Sequence, residues 1–454
     1  MNQLRYEKHV PKYQGQEMME YVANAKFEDL PEEVVTRAKH ILLDAVACML
    51  AGRTTRKMFN TTLDFMAEPV SGAISPIGCE LKTNAAMAAF LNAAHAQTHD
   101  FNDGLNNSGM LGGAYHPGRT VVSVALSVGQ QVHASGKDIL LAIVLGVETA
   151  ARMRNNKMQS YVADCYATAM VAGKLLGATP DQLHAAVSRA AYNCPASSTK
   201  ASKSLVVAGD HECSSQSTNV LVYGYIARNG VEAAELAMHG FRSNPLDDNN
   251  ALSTRFATCG LGTTYECMNM YFKPWPCCRK THGAIEAALA LRNEHGVKAE
   301  DITAIRIYQQ VTGMYVDEPF KPDHDINYGG QFSLQYVVSC AFLDGDVNLK
   351  HFRRPDRKAP QDVLEFSKKI TVHPDNGLDG HNAIAPNHGI LEVDLTDGRT
   401  LSMYAPYPLG SEPNGMTEEQ RIAKFLTCAE ELLSEDERRK WVADILAFDT
   451  IETI

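Results

Sequence analysis

Segments 84–98, 119–133 and 137–153 are rich in Ala, Val and Leu on nearly every side. A helix that is apolar all round must lie inside other helices, so these stretches demand a bundle thick enough to enclose them. A further segment, 31–52, places Val34, Val35, Ala38, Ile41, Leu42, Ala45 and Met49 at helical spacing. Pro31 and two glutamates occupy its first turn, and Gly52 is expected to end it. Thr179-Pro-Asp-Gln182 forms a capping box that opens another helix. The first 265 or so residues therefore predict a helical domain.

The character changes after about residue 265. Segments 303–311 and 368–374 are short and β-branched, and 391–404 alternates around Asp397-Gly398 as a hairpin with a tight primed turn. A helix over 281–294 and an apolar stretch at 331–344 sit among these strands. Helical signals return at Thr417-Glu-Glu-Gln420 and Ser434-Glu-Asp-Glu437. The expected fold is mainly α. A large helical domain is built from both chain ends, 1–265 plus 409–454, with an α+β lid inserted over 266–408.

Charge and cysteine usage narrow the function. With 42 Lys+Arg against 53 Asp+Glu the net charge is −11, which argues against a general nucleic-acid binder but leaves room for a locally basic pocket. Nothing approaches the roughly 20 apolar residues of a membrane span, and no apolar core marks the N-terminus as a signal peptide. The 11 cysteines include no Cys-x-x-Cys, so zinc or iron–sulfur ligation lacks its usual spacing, and a cytoplasmic location is expected.

Three polar clusters interrupt the apolar background. The first runs from His95 to Gly118, through a loop dense in Gly, Asn and Asp. His95 and His99 share a helix face as half a metal site would, but no third ligand is evident, so no metal is expected. Turn chemistry explains most of the Asn and Gly residues, and explains Asp100 and His116 less well. The second cluster, 271–289, has Trp275 between prolines, then Cys277, Cys278, Arg279, Lys280 and His282 at a helix start. Such a place suits an anion and would activate a thiol, although a buried, inert cysteine is equally compatible. The third, 200–219, contains Lys200, Lys203, Asp210, His211 and Glu212, and reads as a polar loop whose lysines could reach an anion.

Together these motifs resemble the MmgE/PrpD family. The resemblance rests on HDFND (99–103) followed by AYHPG (114–118), and on KPWPCCRKTH (273–282). GKLLGATPDQ (173–182), GGQFSLQYVVSCAFLDGDV (329–347) and NGMTEEQRIAKF (414–425) continue it in family order. The chain departs from the family pattern at 155–165, at 206–214 and at Gly104, where relatives often carry threonine.

The resemblance implies a homodimer with a pocket lined by Asp100, His116, Lys273, Cys278 and His282. It implies no cofactor, and a small anionic carboxylate as substrate. His116 is expected to be the base or proton shuttle, Asp100 its paired acid, and Lys273 the cation that stabilises enediolate-like charge. His99, Asp103, Cys278, His282, Lys203 and His211 are expected to contact substrate.

The expected activity is that of a cofactor-independent lyase. It would be a dehydratase or hydratase that abstracts a proton next to a carboxylate of a small di- or tricarboxylate, such as a 2-methylcitrate-like acid. A cis-aconitate-type decarboxylase and an imino-diacid epimerase are the alternatives, followed by a non-catalytic scaffold. A cysteine hydrolase using Cys278 and His282 lacks an identifiable orienting group. The number of uniformly apolar helices also predicts a buried interface between two copies.

Overall fold

The computed structural model describes residues 15–54, 63–64, 66–67, 70–105, 116–153, 160–194, 214–242, 258–309, 320, 326–327, 329–375 and 387–454. Its helical part begins with α1 (Gln16–Asn24), α2 (Glu32–Thr54) and α3 (Ala85–Gln97). It continues with α4 (Gly118–Val132), α5 (Gly136–Arg152), α6 (Ser160–Leu175), α7 (Pro180–Tyr192) and α8 (Ser214–Met238). Local chemistry fixes where these start. Asn84 accepts the Met87 N–H ahead of α3 at 2.8 Å, Ser135 and Asp138 box the start of α5, and Thr179 and Gln182 box α7 as expected. Gly52 does not end α2. The helix runs on to Thr54, and a Cβ at Gly52 would lie 2.0 Å from the His95 carbonyl oxygen. That glycine exists so that α2 and α3 can approach closely, which its position in the sequence does not reveal.

All of α3 is buried, as are the first twelve residues of α4, Gly118–Gly129, and nearly all of α5. Their apolar sides are covered by neighbours in the same chain, so their composition no longer argues for a second copy. Two helices from the far end of the sequence, α12 (Glu418–Cys428) and α13 (Glu435–Leu446), pack on α2. Phe425, Cys428, Val442 and Ile445 accordingly join the same apolar core as Ile41, Val122 and Leu141.

A second core lies in the 275–405 region. Its sheet has the order β4 (Ile370–Pro374), β3 (Ile302–Gln309), β5 (Gly389–Leu395), β6 (Thr400–Ala405). β3 pairs parallel with β4 and antiparallel with β5, and β5 pairs antiparallel with β6. Ile305, Ile307, Leu391 and Val393 face α9 (His282–Asn293) and α10 (Leu334–Asp344), while Arg306 binds Glu392 and Asp394 on the other face. α11 (Gln361–Ser367) leads into β4. The hairpin turn is one residue longer than a two-residue primed turn. Leu395 N–H donates to the Arg399 carbonyl at 2.9 Å, so Thr396, Asp397 and a left-handed Gly398 form the loop. Separately, β1 (Gly104–Leu105) pairs antiparallel with β2 (Met270–Tyr271), tying the polar loop of the bundle to the segment entering the sheet region. The fold is mainly α with a small mixed sheet. No described helix is long and apolar enough to cross a membrane.

Candidate functional site

The helix α3 ends at Gln97, and the chain then turns sharply. Asp100 takes up the left-handed backbone region (φ 47°), which aspartate tolerates better than most side chains. Its N–H donates to the Gln97 carbonyl at 3.1 Å. Lys273, fully buried just after β2, donates to the Asp100 backbone carbonyl and stands 3.0 Å from its Oδ2. One ammonium thus holds both the unusual backbone turn and the carboxylate, across 173 residues of sequence.

Three residues on, Asp103 is enclosed completely. Its N–H donates to Asp44 Oδ2 at 3.0 Å and its Oδ1 accepts the Gly118 N–H at 3.2 Å. Its carbonyl receives His116 Nδ1–H at 2.5 Å. A carbonyl can only accept, so this contact puts the His116 proton on Nδ1 and the basic lone pair on Nε2. His116 is half-buried and meets the Tyr271 ring edge-on at 6.2 Å.

Beneath this loop lies an ion pair that sequence reasoning missed. Lys424 on α12 reaches Asp44 Oδ1 on α2 at 2.5 Å and the Phe101 carbonyl at 2.7 Å, and sits over the Phe101 ring. Asp44 and Lys424 are separated by 380 residues; Lys424 stands in the 414–425 segment noted above, but nothing in that segment pairs it with Asp44. The loop bearing Asp100 and Asp103 is therefore fastened from below by Lys424 and Asp44, and from the side by Lys273.

Burial, and then the Asp44 carboxylate, push the Asp103 carboxyl up to about 8. Asp103 is then a neutral acid at neutral pH. The unfolded chain sheds this proton near pH 4, whereas the folded chain keeps it until about pH 8. This contribution to stability is therefore complete below pH 4 and is lost as pH rises to 8. Asp103→Asn, an uncharged near-isostere, should remove it. In urea titrations the wild type should lose stability relative to the variant by on the order of 1 kcal/mol per pH unit between pH 5 and 7. Parallel curves for the two proteins would show that Asp103 is ionised in the fold.

The segment 273–282, between β2 and α9, contributes the rest. Cys278 is buried, and its N–H donates to the Gln331 carbonyl at 2.9 Å. Burial, reinforced by Asp100, pushes its thiol up to about 11, away from a reactive thiolate. His282 is fully buried and turned elsewhere. Arg279 Nη1 is 3.0 Å from its Nδ1, its Nε2 is 3.3 Å from the Cys277 carbonyl, and its ring packs against Trp275. Burial, Arg279 and Lys273 push its pKa well down, so it is neutral and already occupied at both nitrogens. Arg279 itself binds the Pro408 and Leu409 carbonyls and lies under the Tyr271 ring.

Of the residues expected from the sequence, Asp100 and Lys273 meet directly, and Asp103 and His116 meet directly. Cys278 feels the charges of both Asp100 and Lys273. His99 is buried at the turn beside Asp100, and Lys203 and His211 lie outside the described residues. Gly104 now has a local reason. A Cβ there would sit 2.2 Å from Tyr271 Cζ, so any side chain at this position would collide with the ring.

His95, fully buried, has its pKa pushed down to about 3 by desolvation, and no described third ligand stands with it and His99. The described trio spaced like metal ligands is Cys340, Asp344 and His351. There His351 Nδ1 accepts the Asn348 N–H at 3.0 Å and Nε2 faces Asp344 at 3.0 Å, which is a capping arrangement. A cavity of about 260 Å³ adjoins the site at Phe101, Pro274 and Lys424, but its largely apolar walls include none of the acid–base candidates.

Asp100, Asp103 and His116 thus gather beside the end of a bundle helix, and the Lys273 ammonium reaches Asp100 from the segment after β2. Comparison with known proteins gives the family. The model of the MmgE/PrpD N-terminal domain matches residues 16–249 and that of the C-terminal domain matches 275–447. The chain belongs to the MmgE/PrpD family. It is 24% identical to cis-aconitate decarboxylase of Aspergillus terreus, over 96% of this chain and 94% of that protein. It is 25% identical to the human cis-aconitate decarboxylase, over 90% of this chain and 86% of its relative. The mouse protein of the same name is 24% identical over 90% of this chain and 86% of that protein.

Proposed function

We propose that this protein is a lyase that moves a proton at the carbon next to a carboxylate of a small di- or tricarboxylate. The observation that supports this most is the junction of Asp100 and Lys273, with His116 held by Asp103 on the same loop. In the dehydratase direction His116 Nε2 takes the proton from the carbon, and the C–H electrons form the new double bond as hydroxide leaves. Asp103, held neutral by its burial, is the nearby acid that converts the leaving group to water. Lys273, beside the carboxylate-bearing turn, offsets the negative charge that builds up in the enediolate-like transition state.

A second reading is decarboxylation of a cis-aconitate-like acid, favoured by the names of the relatives. There the His116 imidazolium gives its proton to a carbon of the double bond, and CO2 leaves as its C–C electrons re-form one. Both reactions need the same residues, with His116 starting in opposite protonation states.

The division into a helical domain (1–265 plus 409–454) and a lid (266–408) is part of this proposal, supported by the separate apolar core of the 275–405 region, while Cys267, Met270, Phe272 and Leu349 pack into the helical core. The C-terminal family match runs on past 408, through side chains that pack into the helical core. A homodimer is likewise proposed from the family resemblance. Exposed Tyr225, Leu236 and Phe241 are the apolar groups it would cover.

Incubation with a panel of di- and tricarboxylates in D2O, followed by NMR, tests the activity. Deuterium at carbon next to a carboxylate, with or without net loss of water or CO2, is the expected result. Neither exchange nor turnover with any acid would leave the non-catalytic scaffold reading standing.

A further inference from the structure

The mechanism above gives an anionic substrate one cation, Lys273, and that ammonium is already occupied by the Asp100 carboxylate and carbonyl. Lys424 is held by Asp44 and the Phe101 carbonyl, and Arg279 uses both Nη groups on Pro408, Leu409, Ser411 and His282. Arg119 differs. It lies in the first turn of α4, three residues after His116, and only 2% of it is exposed. A guanidinium has five N–H donors. Here Nη1 donates to Gln97 Oε1, one face lies 3.3 Å from the centre of the Tyr223 ring, and Nε has no hydrogen-bond partner. Among the described residues no carboxylate pairs with it. Asp164, the nearest candidate by charge, has Oδ1 engaged by the Thr120 hydroxyl at 2.7 Å.

An unpaired buried charge costs several kcal/mol, and stacking on an aromatic ring returns only about 2 of them. Asp164 and Asp100 lend the group some longer-range stabilisation. Its position is equally informative. Its partner Gln97 stands three residues before Asp100, whose charge acts on the guanidinium, and Arg119 itself stands three residues after His116. Guanidinium is also the side chain whose planar fork matches a carboxylate.

We propose that Arg119 receives a second carboxylate of the substrate through its Nε–Nη2 edge, and so selects di- and tricarboxylates over monocarboxylates. This rests on the lyase reading for the identity of the ligand class, and it assigns the distal carboxylate a partner that the family motifs do not contain.

The test uses the full chain and the unreactive probe propane-1,2,3-tricarboxylate, with butyrate as the monocarboxylate control, titrated by calorimetry. Arg119→Met should weaken tricarboxylate binding about 30-fold or more, the range for removing one partner of a buried charge pair. Arg119→Lys, which keeps the charge and fills the space, should fold even if the methionine variant does not. It should raise KM for the best di- or tricarboxylate about tenfold with kcat largely kept, since only the fork is lost. Butyrate binding should be the same in all three proteins. A folded Arg119→Lys with wild-type KM and wild-type tricarboxylate affinity overturns the proposal, while wild-type turnover would leave the lyase reading intact. Arg119-dependent tricarboxylate binding without exchange or turnover on any acid overturns the lyase reading and keeps the binding site. Wild-type protein that binds neither acid and turns over none sinks both.

Discussion

Lys273→Met is expected to destabilise the protein by about 3–5 kcal/mol and to lower kcat by a hundredfold or more. The size follows from what the ammonium holds. Lys273 is wholly buried, and the Asp100 carboxylate beside it is only 12% exposed. Removing the cation leaves a carboxylate with little water and a left-handed backbone turn without its tie. The chain must then protonate Asp100 or rearrange the loop, and either outcome disturbs the acid–base pair. Urea unfolding measures the first effect and steady-state kinetics the second. The double variant Asp100→Asn/Lys273→Met separates them. Without the stranded charge, stability should largely return while turnover stays low. A single variant with an unchanged urea midpoint and only a higher KM would make Lys273 a simple carboxylate anchor, reachable by solvent, and would contradict the buried pair.

The helices were legible because their signals are local. Asn84, Thr179, Thr417 and Ser434 each satisfy an N–H within three residues of themselves, so nothing outside the segment has to be known. The strands were legible one by one and the sheet was not. Beyond the β5–β6 hairpin, its order, with β4 parallel to β3 at one edge, is set by the packing of α9, α10 and α11 and is not encoded in any single strand. Gly52 shows the same limit inside a helix. Read along the chain it resembles a stop, but in space it is the contact between α2 and α3.

Much of the polar loop was legible as chemistry and little of it as geometry. His-Asp-Phe-Asn-Asp and His-Pro marked Asp100, Asp103 and His116, and the Lys-Pro-Trp-Pro strap marked Lys273. How the supports of these residues pair left no such mark. Asp44 and Lys424 lie on helices from opposite ends of the sequence, and Tyr271 acquires meaning only because Gly104 pairs with it. The same blindness made Cys278 and His282 look alike as neighbours at a helix start. In the fold, Cys278 faces the Asp100–Lys273 charges while His282 faces Arg279.

His116→Gln should lower kcat about a hundredfold or more, with the fold intact, because glutamine can still donate to the Asp103 carbonyl but cannot carry a proton to carbon. The matching control is Cys278→Ser, expected to keep much of the activity. A thiol pushed up to about 11 is ionised in only about one molecule in ten thousand at pH 7. Its nearest histidine in sequence is no general base for it. His282 Nδ1 takes an Arg279 N–H, and its Nε2–H points to the Cys277 carbonyl. His116, by contrast, is held through Nδ1 and has its basic lone pair on Nε2. Measuring kcat for both variants by the D2O exchange assay, rather than by net turnover alone, reads the proton step directly. An inactive Cys278→Ser beside an active His116→Gln would reverse the assignment. It would require the thiolate to form on substrate binding, with Lys273 shifting from Asp100 towards Cys278 to stabilise it.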